Sequence, residues 1–333
     1  MNSPRISVLD LAPVIEGADH SQTYRRSVEL AQHTEQLGYH RFWLAEHHNM
    51  PDIASAATSV LIGHIASNTH TIRVGSGGIM LPNHAPLVIA EQFGTLAALH
   101  PNRIDLGLGR APGTDYPTMH ALRRDPDNMD PNFDELLEEL EFFQGPISSS
   151  QPVAAYPGAY SQVPIWLLGS STYSARLAAM KGLPFVFAAH FAPGAMHSAL
   201  SMYRELFKPS EHLDKPYAMV AVNATLADTD EQAQFLATTE KQKFLGMIRG
   251  KRSKLPRPVA SMDPLWLPHE KRQLENQLQE SIIGSPETAK TQLNDLLDRT
   301  QADELMIHSM IYDQESKLHS YKLLAELVSA NLR

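Results

Sequence analysis

The chain has 333 residues, no cysteine and a formal net charge of −9 at pH 7. The lack of cysteine excludes disulfides, thiolate metal sites and cysteine nucleophiles. The negative charge disfavours nucleic-acid and anionic-membrane partners, because both need a basic surface. No apolar run approaches the length of about 18 residues that a membrane span needs, and the short apolar stretch after Arg5 lacks a cleavage site. A soluble, cytoplasmic protein is therefore expected.

Short β-rich runs alternate with amphipathic helical stretches along most of the chain, which predicts eight strand–helix units. The predicted strand and helix of each unit are, in chain order, 5–11 and 21–37, 41–45 and 54–67, 71–76 and 86–99, 103–109 and 133–143, 164–168 and 173–181, 185–189 and 194–207, 217–225 and 231–248, and 304–310 and 318–332. Eight such units are what a closed parallel (β/α)8 TIM barrel requires. An open doubly wound α/β sheet would give the same alternation, so periodicity alone leaves both open.

Residues 250–284 interrupt the alternation before the eighth strand, with four prolines and a charged helical stretch at 269–279. A connection this long is uncommon unless it has a function. Two interpretations stay open: a surface excursion, or a mobile lid that excludes water from the barrel mouth. No second domain is indicated, so residues 1–333 are predicted to form one barrel domain with this insertion.

Functional residues of a barrel collect where the strands end. The second predicted strand ends in Glu46, His47 and His48. Neighbouring residues of a strand point to opposite sides, so the two histidines are poorly placed to bind one metal ion, and we assign no metal ligand. An imidazole titrates near neutrality, so His47 is a candidate to stabilise an anion or to move a proton. A structural histidine, hydrogen-bonded at a strand end, is the alternative.

The glycine-rich run Gly107–Gly113 is not a dinucleotide fingerprint, because its spacing is G-x-G-x-x-x-G and Pro112 would interrupt the following helix. It does place Arg110 at a strand end, and the guanidinium fork matches phosphate. Gly169, Ser170 and Ser171 open the next helix, where backbone amides favour anions. Together these residues indicate a phosphate-bearing cofactor. A loop salt bridge for Arg110 and an ordinary helix entry for Gly-Ser-Ser are the alternatives.

Gly77 and Gly78 lie at the end of the third predicted strand. Adjacent glycines permit backbone shapes that are closed to other residues, against which a flat ring can pack. A bulge at a strand end is the simpler interpretation.

Five segments, in order along nearly the whole chain, resemble the luciferase-like monooxygenase family: 41–50, 74–83, 103–110, 164–171 and 188–193. The resemblance implies a barrel that holds reduced FMN, which reacts with O2 to a flavin hydroperoxide that oxygenates an organic substrate. Because no second nucleotide motif is present, a separate NAD(P)H:flavin reductase is expected to supply the reduced FMN. Family members usually pair through helices two and three, so a homodimer is expected.

The resemblance also implies roles for individual residues. His47 falls on the catalytic histidine, and Arg110, Ser170 and Ser171 fall on the phosphate site. Gly77–Gly78 falls where a non-proline cis peptide often underlies the flavin. Luciferases carry a reactive cysteine just before the arginine, whereas this chain has Gly109, which puts light emission in doubt.

Three other functions compete with this interpretation. A deazaflavin-dependent oxidoreductase could use the same barrel, although the Glu-His-His-Asn stretch favours flavin. A flavin-binding subunit without turnover would need neither His47 nor Arg110. A metallohydrolase is the most distant alternative.

Overall fold

The computed structural model describes residues 4–111, 114–122 and 132–330. Its strands are β1 (Arg5–Asp10), β2 (Arg41–Leu44), β3 (Arg73–Met80), β4 (Ile104–Gly109), β5 (Ile165–Gly169), β6 (Phe185–Ala188), β7 (Ala218–Leu226), β8 (Ile282–Gly284) and β9 (Glu304–His308). Its helices are α1 (His20–Gln36), α2 (Thr58–Ser67), α3 (Pro86–Leu99), α4 (Tyr116–Ala121), α5 (Phe133–Gln144), α6 (Thr172–Lys181), α7 (Met196–Leu206), α8 (Asp230–Ile248), α9 (Pro268–Gln277), α10 (Pro286–Thr300) and α11 (Gln314–Ser329).

Eight parallel strands close into a barrel. β1 to β7 pair in sequence order, and β9 pairs with both β7 and β1, which completes the circle. This closure confirms the predicted barrel and excludes the open sheet. The short strand β8 lies outside the closed ring of strands and pairs in parallel with the C-terminal residues of β7. In the described part of the chain, no helix is both long and apolar enough to cross a membrane.

Alternation along the strands divides the apolar residues into two cores. On β2, Phe42 and Leu44 face the surrounding helices, whereas Trp43 faces the barrel interior. The interior cluster also contains Leu9, Trp166 and Met306, so the middle of the barrel is filled by packed side chains.

A buried ionic network fills the N-terminal end of the barrel. Arg41 donates to Asp105 over 2.6 Å and to Glu304 over 3.1 Å, and all three side chains are buried. Glu304 also accepts hydrogen bonds from Ser7 and from the Tyr217 hydroxyl, the latter over 2.8 Å. Both carboxylates are therefore fully engaged, as buried charges require.

The seventh ring helix is not the one that the sequence pattern predicted. α10 packs against both α7 and α11, so it occupies the ring position between them, whereas α8 packs on β8 and α9. The prediction that 231–248 is the seventh helix of the ring is wrong, because 286–300, which the predicted strand–helix units do not include, fills that position. Ser285 caps α10 and Pro286 opens it, which is a typical signal for the start of a helix. Residues 331 and 332 of the eighth predicted helix lie outside the described residues.

Candidate active site

His47 and His48 follow β2 and have different neighbours. His47 lines a cavity together with Met50 and Ile53. His48 instead contacts Glu46, with 2.9 Å between its Nε2 and Oε1 of the carboxylate. Burial alone would raise the pKa of Glu46, but hydrogen bonds from His48 and His84 outweigh it and lower the pKa to about 2. Glu46 is thus a fixed anion that organises the loop behind His47.

Two further histidines at the ends of barrel strands interact electrostatically with His47, and we call His47, His190 and His308 the histidine cluster. The ring centroids of His190 and His308 are 5.6 Å apart. Nδ1 of His308 contacts Oδ1 of Asn223 at 2.9 Å, and Nδ2 of Asn223 donates to the carbonyl oxygen of His190 over 2.6 Å. His190 and His308 were not predicted as site residues, although each lies at the end of a barrel strand.

The cluster is neutral at pH 7. Burial is the main cause in each ring: it lowers the pKa of His47 to about 4 and that of His190 to about 3. Burial also holds the pKa of His308 well below its ordinary value. The nearby charge of Lys243 contributes at His47 and His308. Nδ1 of His47 and Nδ1 of His190 are both buried and have no hydrogen-bond partner.

Helix α8, which directly precedes the insertion 250–284, contacts this end of the barrel through Lys243. Lys243 forms a buried ion pair with Asp52 in the loop after β2. Burial lowers the pKa of Lys243 to about 8. Beyond α8, Arg252 donates to the carbonyl oxygen of Asn49 over 2.9 Å and pairs with Asp115 at 3.0 Å. Helix α8 and the start of the insertion therefore contact the loops that follow β2 and β4.

Arg110 lies at the end of β4, close to the start of α6. Its guanidinium stacks over the ring of Tyr173 at 4.2 Å, and the Tyr173 hydroxyl donates to Asp134 over 2.6 Å. Ser171 is the N-cap of α6, but its side chain makes no capping hydrogen bond. The structure thus brings Arg110, Ser170 and Ser171 to one exposed edge, where cation and helix amides favour an anion. Pro112 and Gly113 of the glycine-rich run lie outside the described residues.

The peptide bond between Gly77 and Gly78 is cis. A Cβ on Gly77 would lie 2.9 Å from the Leu9 side chain, and one on Gly78 would lie 2.8 Å from the Gly107 carbonyl oxygen. Close packing inside β3 and β4 therefore accounts for both glycines.

Two other glycines of the site are also set by packing. A Cβ on Gly169 would lie 2.6 Å from Oγ of Ser174, and one on Gly109 would lie 2.8 Å from Sδ of Met80. Met80 thus occupies the space that a cysteine side chain would need at position 109.

A cavity of about 550 Å³ opens beside His47, between the start of α1 and the loop after β2. Its wall combines polar and apolar side chains. The lining side chains other than His47 are His20, Tyr24, Asn49, Met50, Pro51, Ile53, Ala54 and Ala56. Among the described residues, no group of three His, Cys, Asp or Glu side chains is placed to hold a metal ion.

Comparison with known proteins identifies the family. The profile of the luciferase-like monooxygenases matches residues 5–304. An uncharacterised Bacillus subtilis protein, YvbT, is 53% identical over 97% of this chain and 96% of its own length. A luciferase-like monooxygenase of Escherichia coli K12 is 50% identical over 95% of both chains.

Two solved structures show the same fold. The crystal structure of apo-MsnO8 has 38% sequence identity and a TM-score of 0.90, covering 99% of this chain and 100% of its own. The oxygenating constituent of the type II Baeyer-Villiger enzyme 3,6-diketocamphane monooxygenase of Pseudomonas putida, in complex with FMN, has 17% identity. Its TM-score is 0.74, and the match covers 99% of this chain and 98% of that one.

The closed ring of eight parallel strands, with helices between them, defines a (β/α)8 TIM barrel. With the profile match and the relatives, the chain belongs to the luciferase-like monooxygenases, an enzyme family.

Proposed function

We propose that the protein is an FMN-dependent monooxygenase, which uses reduced FMN and O2 to oxygenate a small organic substrate. The observation that carries the proposal is the pair of buried Nδ1 atoms of His47 and His190, which have no partner within the protein. A buried polar atom without a partner is costly, so these nitrogens are suited to a polar ligand at the barrel mouth.

The residues present fit the two ends of FMN. Arg110, Ser170 and Ser171 would hold the phosphate, because guanidinium and helix amides are the groups that proteins use for phosphate. Gly77 and Gly78 would underlie the isoalloxazine ring. The homologous barrel of diketocamphane monooxygenase was solved with FMN, which supports this choice of cofactor.

Bound reduced FMN would supply the activation of O2. The chain itself would provide proton control and shelter from water. His47 is neutral at pH 7, so its imidazole can accept or return a proton at the reacting centre. The cavity beside His47 would receive an apolar part of the substrate through Met50, Ile53 and Ala54.

The domain organisation and partners form part of the proposal. Residues 1–333 would form one barrel domain, and residues 250–284 would serve as a mobile lid over the mouth, anchored by Arg252. A separate NAD(P)H:flavin reductase would deliver reduced FMN, and the protein would work in the cytoplasm.

We further propose a homodimer through α2 and α3. Val60 of α2 is 70% exposed and Val88 of α3 is 41% exposed, and a partner copy would cover such apolar side chains.

An anaerobic titration with photoreduced FMN, followed by rapid mixing with O2, tests the function. We expect saturable binding, and oxygenated product in a screen of small thioethers, ketones and aldehydes. Reduced 5-deaza-FMN is titrated in parallel, so that the binding of a deazaflavin is compared with the binding of reduced FMN. Tight binding of reduced FMN without any O2-dependent product would favour the deazaflavin-type oxidoreductase or a non-catalytic subunit, and absence of FMN binding would overturn the proposal.

A further inference from the structure

The tautomer of His308 is fixed by its neighbours. Nδ2 of Asn223 donates to the carbonyl oxygen of His190, so Oδ1 is the Asn223 atom that faces His308. An amide oxygen only accepts, and therefore Nδ1 of His308 carries the hydrogen. In the neutral ring the basic nitrogen of His308 is then Nε2.

His190 and His47 each offer a basic site as well. A hydrogen bond to the backbone of Ala221 acts on His190 in the direction that raises its pKa, although burial prevails. That bond uses one ring nitrogen, and Nδ1 is the atom of His190 that is buried without a partner. Nδ1 of His47 is likewise buried without a hydrogen-bond partner. The three rings therefore place proton-accepting nitrogens together at the barrel mouth.

The charged groups that act on these rings are already paired. Lys243 of α8 pairs with Asp52, and Lys317 of α11 lies 3.5 Å from Asp10. Glu46 is bound by His48 and His84. Lys243, whose pKa is about 8, is already mostly protonated at pH 7. When an anion enters beside the cluster, the neutral imidazoles are therefore the groups that can take up a proton to compensate for it.

We propose that His190 and His308 act with His47 as one proton-accepting site, in which one imidazole takes up a proton from solvent when the anionic ring of reduced FMN binds. The inference rests on the proposed function and extends it to two residues outside the predicted site. The proton moves from buffer to an imidazole nitrogen, and no other bond changes. Oxidised FMN carries the same phosphate but a neutral ring, so it should cause no uptake.

The expected size follows from Coulomb's law. A full negative charge about 4 Å from a ring raises its pKa by about 3 at an effective dielectric constant of about 20. For His47, whose pKa is about 4 in the free protein, this brings the ring to about neutrality. Because the three rings lie close together, the proton belongs to the cluster as a coupled unit.

NMR of the full-length protein labelled at the histidine Cε1 atoms tests the proposal. Anaerobic pH titrations would be run without ligand, with oxidised FMN and with photoreduced FMN. We expect one cluster resonance to show an apparent pKa raised by about 3 with reduced FMN and not with oxidised FMN. His190→Gln and His308→Asn assign the resonances and keep the donors that face Ala221 and Asn223. His197→Gln, on the exposed surface of α7, is the matched control.

The affinity of a cluster variant for the two redox states of FMN gives a second readout, and the wild-type titration alone tests the proposal if that variant does not fold. His190→Gln should weaken the binding of reduced FMN several-fold more than that of oxidised FMN, and His197→Gln should change neither. If reduced FMN binds the wild-type protein while no cluster ring titrates between pH 5 and pH 8, this inference is wrong and the proposed function stands. If reduced FMN does not bind at all, both are wrong.

Discussion

The two ends of the barrel use polar residues in opposite ways. At the N-terminal end, Arg41 forms buried ion pairs with Asp105 and Glu304 inside the ring of strands. At the C-terminal end, His47 and His190 are neutral, and each keeps a buried nitrogen without a partner. The first arrangement stabilises the closed sheet, and the second leaves bonding capacity for a ligand. The division agrees with the general placement of barrel active sites at the C-terminal face.

The largest expected effect is on the N-terminal network. Arg41→Met removes the guanidinium that pairs with the buried Glu304, while Asp105 keeps its ion pair with Arg73, so we expect the free energy of unfolding to fall by about 3–5 kcal/mol. Urea denaturation measures it. Arg25→Met, on the exposed surface of α1, should stay within about 0.5 kcal/mol of the wild type. Equal losses in the two variants would show that the network does not stabilise the barrel.

The second-largest expected effect is on the rate of oxygenation at the C-terminal end of the barrel. His47→Gln should lower the rate of oxygenation by about 10²–10⁴-fold, because an imidazole that moves a proton is lost, while affinity for reduced FMN is largely kept. The rate is measured with whichever substrate the wild-type protein oxygenates. His197→Gln, on the exposed surface of α7, is the control. A His47 variant that retains full turnover would return this residue to a structural role.

Arg110 differs from the N-terminal Arg41, because it lies at the C-terminal end of the barrel and its side chain is exposed to a ligand. Arg110→Ala should weaken FMN binding by about 1.5–3 kcal/mol, the range for a charged hydrogen bond. Riboflavin, which lacks the phosphate, should bind the variant and the wild type equally. Isothermal titration measures both ligands. A parallel loss for riboflavin would place Arg110 away from the phosphate.

The smallest effect is a pH dependence of stability at the C-terminal end. The folded-state pKa of His190, about 3, lies below that of an unfolded histidine, about 6.5. The unfolded chain therefore binds a proton first, and stability is lost as pH falls from about 6.5 towards the folded pKa. Relative to His190→Gln, the wild type should lose on the order of 1–2 kcal/mol between pH 7 and pH 5. A difference that stays constant with pH would mean that His190 is already solvated.

Local rules selected most of the candidate site residues. The rule that barrel chemistry lies at strand ends selected His47, Arg110, Ser170 and Ser171. The resemblance to the family singled out Gly77–Gly78, where the structure has a cis bond. The roles of these residues stay predictions, to be decided by the experiments above.

The same rules failed for the helix of the seventh unit. Both α8 and α10 have helical sequences, and periodicity does not distinguish which of the two joins the outer ring of helices. The buried run 236–240 gives α8 no single apolar face, because α9 covers one side while the barrel end lies on another.

The amino-acid sequence alone predicts eight strand–helix units, and its resemblance to the family favours the closed barrel over the open sheet, which would show the same alternation. The sequence also predicts which residues stand at the ends of individual strands. That His190 and His308 lie near His47, and that Lys243 of α8 meets Asp52, is seen only in the folded chain. These residues are far apart in the chain, and it is the closure of the sheet and the docking of the insertion that set the distances between them.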